Sequence, residues 1–185
     1  MAAIDTTPHF SFHAPVVKLA LAVLCLLLIG CASVPPPTRQ VEQLKSLPIA
    51  LNPDFSFRKT KQYFLDPRVQ SVRGIDASVA FERSYHNYGA ITALDLREHI
   101  GSYYTFFWRA RRPANVTVRL EYRQEKLHAF TQAREVRYEH ARGSYQTHFA
   151  IIGDDYYNDG RVIAWRASLI AGGRIVAMSR SYLWE

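Results

Sequence analysis

The sequence predicts an all-β fold, an antiparallel sandwich of two sheets occupying about residues 71–185. Two observations carry that expectation. Asn115–Arg123 alternates without a fault, with Val116, Val118, Leu120 and Tyr122 facing one way and Thr117, Arg119, Glu121 and Arg123 the other. That is the period-two signature of a half-buried strand. Comparable runs recur between turn signals with almost no helical periodicity. About seven short strands in one domain-sized stretch describe a sandwich.

Taken in order, Ile75–Glu82 reads as a first strand and Gly89–Leu94 as a second. Gly101–Ala110 is a strongly aromatic third, and Asn115–Arg123 follows it. Val136 and Tyr138 alternate with Glu135, Arg137 and Glu139. Tyr145, Thr147, Phe149 and Ile151 alternate with Gln146 and His148. Ile163, Trp165, Ala167 and Leu169 form an inward row, with Arg161, Arg166 and Ser168 gathered on the face away from it. Ala171-Gly172-Gly173 then turns the chain into Arg174–Trp184 as a closing hairpin. Trp165 is accordingly expected in the core.

Upstream, Val34-Pro35-Pro36-Pro37 favours an extended polyproline spacer, and prolines recur at Pro48, Pro53 and Pro67. Residues 31–70 are therefore read as a flexible, Pro-containing tether with a short helical turn at Val41–Leu47. The aromatics Phe55, Phe57, Tyr63 and Phe64 are too many for a purely solvated linker, so they are expected to cover the domain or lie on a membrane surface. Residues 1–30 read as a signal peptide. Lys18 precedes the apolar run Leu19–Gly30, which falls short of the roughly 20 residues a membrane-spanning helix needs. The ending Leu28-Ile29-Gly30-Cys31 resembles the lipobox of bacterial lipoproteins. The resemblance implies cleavage before Cys31, diacylglycerol on its thiol and an acylated new amino terminus. Ala32 stands where an aspartate would favour inner-membrane retention, so the resemblance implies an outer-membrane anchor facing the periplasm.

Charge bounds the partners. The chain carries +7, and removing the signal takes away one base and one acid, Lys18 and Asp5, and leaves that balance unchanged. A basic protein on a lipid surface suggests anionic glycans, anionic lipids or an envelope protein as neighbours, although dispersed positive charge also serves solubility alone. Nucleic acid is not an expected partner outside the cytoplasm. Cys25 leaves with the signal and Cys31 is acylated, so no thiol remains for disulfides, metal ligation or nucleophilic catalysis.

The closing hairpin resembles the end of immunoglobulin-like and fibronectin type III-like domains, without their disulfide. The runs Tyr103-Tyr104-Thr105-Phe106-Phe107-Trp108, Glu121-Tyr122-Arg123-Gln124, Gly160-Arg161-Val162-Ile163-Ala164-Trp165-Arg166 and Ser181-Tyr182-Leu183-Trp184 resemble a group of small bacterial lipoproteins to which no reaction is assigned. That resemblance implies a fold and no activity.

Catalytic patterns are missing. The histidines left after the signal, His86, His99, His128, His140 and His148, include no pair at metal-binding spacing, and the Gly-Ser pairs lack a nucleophile elbow. No metal or other cofactor is expected. Asp154-Asp155-Tyr156-Tyr157-Asn158-Asp159-Gly160 is read as an Asx-rich turn rather than a calcium loop, since no glutamate follows at the required distance. Arg109, Arg111 and Arg112 before Pro113 form the densest basic cluster. It reads either as a site gripping anionic groups or partners, or as a solvated strand end that resists aggregation. The expected function is a non-enzymatic, lipid-anchored binding or accessory protein of the cell envelope. An envelope hydrolase acting on glycan or peptide is the alternative.

Overall fold

The structure, a computed structural model, describes residues 35–65 and 76–184. The signal and Cys31 lie outside the described residues. The elements in chain order are β1 (Arg39–Gln40), β2 (Phe55–Leu65), α1 (Ala77–His86), α2 (Ala93–His99), β3 (Gly101–Gln124), β4 (Thr131–Ile152), α3 (Asp154–Asp159), β5 (Val162–Ala171) and β6 (Arg174–Arg180).

The long strands β3 and β4 pair antiparallel along almost their whole length. On the other edge of β3, β2 pairs with the first half and β5 with the second, and β6 extends from β5. The described strands thus belong to one hydrogen-bonded sheet. Trp165 on β5 pairs with Tyr122, yet its ring lies 5.4 Å from that of Phe106 on the same strand β3. A straight β3 would hold Phe106 and Tyr122 on the order of 50 Å apart. The sheet therefore folds over on itself, and its two halves face each other.

Sequence sets the corner. Register is lost between Ala110 and Ala114 and again before Val116, around Pro113, which has no amide to give the ladder. Opposite, Gly143 takes φ +99° and His140 φ +50°. Such bends let one strand pass between facing layers. The core fills the space enclosed, with Phe106, Trp108, Val118, Leu120, Tyr122 and Leu169 fully buried. Trp108 satisfies its indole by donating to Thr147 Oγ1 at 2.9 Å.

The outer face of the second half is covered too. Residues 41–52 run along it: Val41 N–H donates to Ala133 O, and Ala50 and Asn52 donate to the carbonyls of Ile175 and Val176. Beneath this strap lies a cross-strand ladder of charges. Arg119 donates to Glu135 at 2.7 Å, and Arg166 donates to Glu121 at 2.7 Å. Arg119 also donates to Lys45 O at 3.3 Å. Trp184 folds back over Arg123 and Arg166 at 4.8 and 5.2 Å. Sheet, core and strap all lie within the compact unit Pro36–Glu185.

The β-rich, antiparallel character is as the pattern predicts, and so are the closing hairpin and a buried Trp165. Gly172 and Gly173 make its two-residue turn with φ +58° and +72°, the left-handed pair a right-twisted hairpin requires. Other expectations are corrected. In place of two sheets there is one, because the segments read as separate strands at 101–110 and 115–123 are a single bent strand, as are those around Val136 and Tyr145. The part of the first strand expected at Ile75–Glu82 that is described is helix α1, started by Asp76, whose carboxylate caps Ser78 N–H at 2.8 Å. The strand expected at Gly89–Leu94 is instead a loop leading into α2. There Thr92 and Asp95 form a reciprocal capping box, at 3.1 and 2.8 Å. Within the expected tether 31–70, residues 55–65 are a paired strand, Phe55 and Leu65 being buried. Ile163, expected inward, is exposed, since the strand row is buried only from Ala164 onward.

Candidate functional site

Among the described residues, no strap like that of the second half crosses the outer face of the first; α1 leans over it instead. Alternation decides which residues meet there. With Tyr104, Phe106 and Trp108 turned into the core, Tyr103, Thr105 and Phe107 face outward. Register then places Tyr63 beside Tyr103, Lys61 and His148 either side of Thr105, and Gln146 beside Phe107. Helix α1 contributes Phe81, Glu82, Tyr85 and His86 from one side, at i, i+4 spacing. The result is an open groove of about 470 Å³ walled by the rings of Tyr63, Phe81, Tyr85, Tyr103 and Phe107.

His86 closes one end. Its ring stacks on Tyr103 at 3.7 Å and on Tyr63 at 5.4 Å, while Tyr85 meets it edge-on at 5.2 Å. Its Nε2 lies 3.5 Å from Glu82 Oε2, and Lys61 lies 3.6 Å from the other oxygen of that carboxylate. Burial among the rings lowers the imidazole's pKa below its ordinary value; Glu82 opposes this, and His148 and His99 reinforce it. Burial also pushes the Tyr103 hydroxyl up to about 12, and that hydroxyl donates to His99 O at 2.5 Å. His148 shares a 3.0 Å hydrogen bond with Thr105 at the open side.

Phe81 and Tyr85 stack on each other at 6.2 Å and remain exposed, offering flat apolar faces. Lys61, Gln146, His148 and Thr105 supply donors and acceptors at the rim. Glu82 is the one carboxylate among the described residues that line the groove. No group of three or more His, Cys, Asp or Glu side chains suited to a metal occurs among the described residues.

The sequence-predicted site residues lie elsewhere. Arg109, Arg111 and Arg112 are exposed at the β3 corner rather than at a strand end. Arg112 pairs with Asp54 at 3.0 Å and lies over Phe55, while Arg109 and Arg111 make no ion pair among the described residues. Cys31 lies outside the described residues. The acidic segment 154–159, expected as a turn, is the short helix α3, and its carboxylates are occupied. Asp154 pairs with Arg97 at 3.0 Å, Asp155 with Arg134, and Asp159 accepts from Gln132 at 3.2 Å. Buried Gln124 locks this helix by donating to Asp155 O and Gly160 O, both at 2.8 Å.

Sequence reasoning missed the groove because its residues come from four separate elements. The legible fragment was Phe81-Glu82…Tyr85-His86, whose i, i+4 spacing marks one helix face once 77–86 is read as helix. Compared with known protein families, curated proteins and solved structures, the chain matches none of them.

Proposed function

We propose that this chain is a non-enzymatic, lipid-anchored protein of the cell envelope that binds a glycan in the groove between α1 and the sheet. The observation that carries the reading is the groove itself, five aromatic rings with hydrogen-bonding groups at the rim and, among the described residues, a single carboxylate. Sugar rings present apolar C–H faces that stack on aromatics and hydroxyls that need fixed polar partners, and this lining supplies both. The anchor is the acylated Cys31, inserted in the outer membrane and facing the periplasm. Within this reading the folded sheet serves as an immunoglobulin-like sandwich, its two facing halves standing for the two sheets and Trp165 for the central tryptophan.

An envelope hydrolase is the second reading, favoured by the Glu82–His86 contact at 3.5 Å beside an imidazole whose pKa is lowered by burial. Against it, the His86 ring is packed onto Tyr103 and Tyr63, which leaves it little room to meet a substrate.

Calorimetric titration with soluble peptidoglycan fragments separates the two. Saturable binding that falls at least about tenfold in Tyr85→Ala and Gln146→Ala supports recognition. Fragment cleavage abolished by Glu82→Gln would establish the hydrolase, and absence of any saturable binding would sink the groove as a glycan site. Fractionation tests the anchor separately. Wild type is expected with outer membranes and Cys31→Ser as uncut precursor; a Cys31→Ser protein still cut, with wild type released in soluble form, would overturn it.

A further inference from the structure

We propose that the arginine-rich corner where β3 and β4 bend is a docking surface for the headgroups of an anionic lipid bilayer. The corner gathers exposed Arg109, Arg111, Arg112, His140 and Arg142. Arg174, at the β5–β6 hairpin, lines the same shallow depression as Arg112. The nearby acids are Asp54, taken by Arg112 at 3.0 Å, and exposed Glu139. Arg109, Arg111, Arg142 and Arg174 make no ion pair among the described residues, so their guanidinium groups are available to phosphate, which they bind in bidentate fashion.

The chain's entry selects a bilayer over a soluble anion. β1 runs antiparallel to β4, with Arg39 opposite Glu135 and Gln40 opposite Arg134. The chain therefore enters from the side of Val136 and Arg137, which is the corner end, and moves away from it. Cys31 lies about eight residues before Arg39, a length that reaches at most about 29 Å in any conformation. An acyl group on Cys31 would hold the folded body within that reach of the membrane, on the side from which the chain enters. One lipid signal combined with a basic patch is a standard route to stable, oriented attachment.

The inference rests on the anchored reading for its biological setting, but the corner's affinity does not require acylation. Each arginine near an anionic surface strengthens binding about fivefold, and the attraction dies away within a Debye length of roughly 10 Å at 0.1 M salt. The test uses the chain from Ala32 onward, its fold verified by circular dichroism. It is sedimented with vesicles of phosphatidylcholine alone or with one-third phosphatidylglycerol. Binding is expected only with phosphatidylglycerol and should vanish in 0.5 M salt, and Arg111→Glu/Arg142→Glu/Arg174→Glu should weaken it about 100-fold or more. The equally charged control Lys45→Glu/Lys126→Glu/Arg161→Glu should weaken it far less. Equal loss in both triples would overturn the proposal by making net charge the cause. Binding to an acidic polysaccharide without binding to the vesicles would overturn it as well. Because the protein carries no acyl chain here, a failed anchor assay and a failed vesicle assay remain distinguishable.

Discussion

Replacing Trp165 with alanine removes the ring that joins the facing halves of the sheet. The indole lies 5.4 Å from Phe106 and 5.9 Å from Tyr104, and the residue is 6% exposed. A side chain of this kind buries roughly 150–250 Å². At about 25 cal/mol per Å² that is about 4–6 kcal/mol as an upper bound, of which alanine would retain a part. Relaxation of the cavity is limited by Phe106 and Leu169, both fully buried against it in the same core. A loss of about 3–5 kcal/mol follows, the range usual for Trp→Ala in a core. For a domain of this size it lowers the melting temperature by roughly 6–20 °C. Differential scanning calorimetry of Trp165→Ala beside Ile163→Ala makes the measurement, because Ile163 is two residues away on the strand but 43% exposed. The alanine at 163 should cost less than about 1 kcal/mol. If Trp165→Ala melts within a degree or two of wild type, the halves of the sheet do not close on this ring and the fold-over is wrong.

Two further outcomes are expected. Glu121→Ala leaves Arg166 without its 2.7 Å acceptor and Arg119 with Glu135 as its remaining carboxylate, so it should cost about 1.5–3 kcal/mol in urea unfolding; a loss under about 0.5 kcal/mol would show that water reaches the ladder. Tyr104, whose hydroxyl burial pushes up to about 12, ionises first in the unfolded chain, so stability should fall as pH rises from 10 to 12. The loss over that window is about 2 kcal/mol from this group, and urea midpoints of Tyr104→Phe should lack that share of the decline.

What was legible in the sequence followed from local alternation. The rows Val116–Tyr122 and Trp165–Leu169 are buried as their period predicts, and Gly172-Gly173 makes its hairpin. Alternation fails as a guide where a strand bends. Around Pro113 and Gly143 the pattern breaks just as it does at a true turn, so two long strands read as four short ones and one folded sheet as two. The helices were misread for a different reason. Ala77, Val79 and Phe81 fall at alternate positions as in a strand, but Ala80 breaks the polar row between them, and the capping signals at Asp76 and at Thr92/Asp95 were the stronger evidence. The groove inherits both errors, since it lies between a helix read as a strand and a strand read as tether.

Period two also says which residues share a face without saying what covers it. Thr117, Arg119, Glu121 and Arg123 look like a solvent row, yet Arg119 and Glu121 are 8% and 4% exposed. Their burial is tolerable because register sets Arg119 opposite Glu135 and Glu121 opposite Arg166, so each charge meets its counterpart on the neighbouring strand. Those pairings depend on long-range register and cannot be read within any one segment. The covering strap was hidden for the same reason. Pro48 invites a reading as linker, but its carbonyl accepts from Ile175 at 3.0 Å, more than a hundred residues along the chain. A proline has no amide to give a ladder yet keeps its acceptor, so a Pro-containing segment can still line a sheet edge. Here that edge seals a buried charge ladder, which makes residues 41–52 part of the folded body.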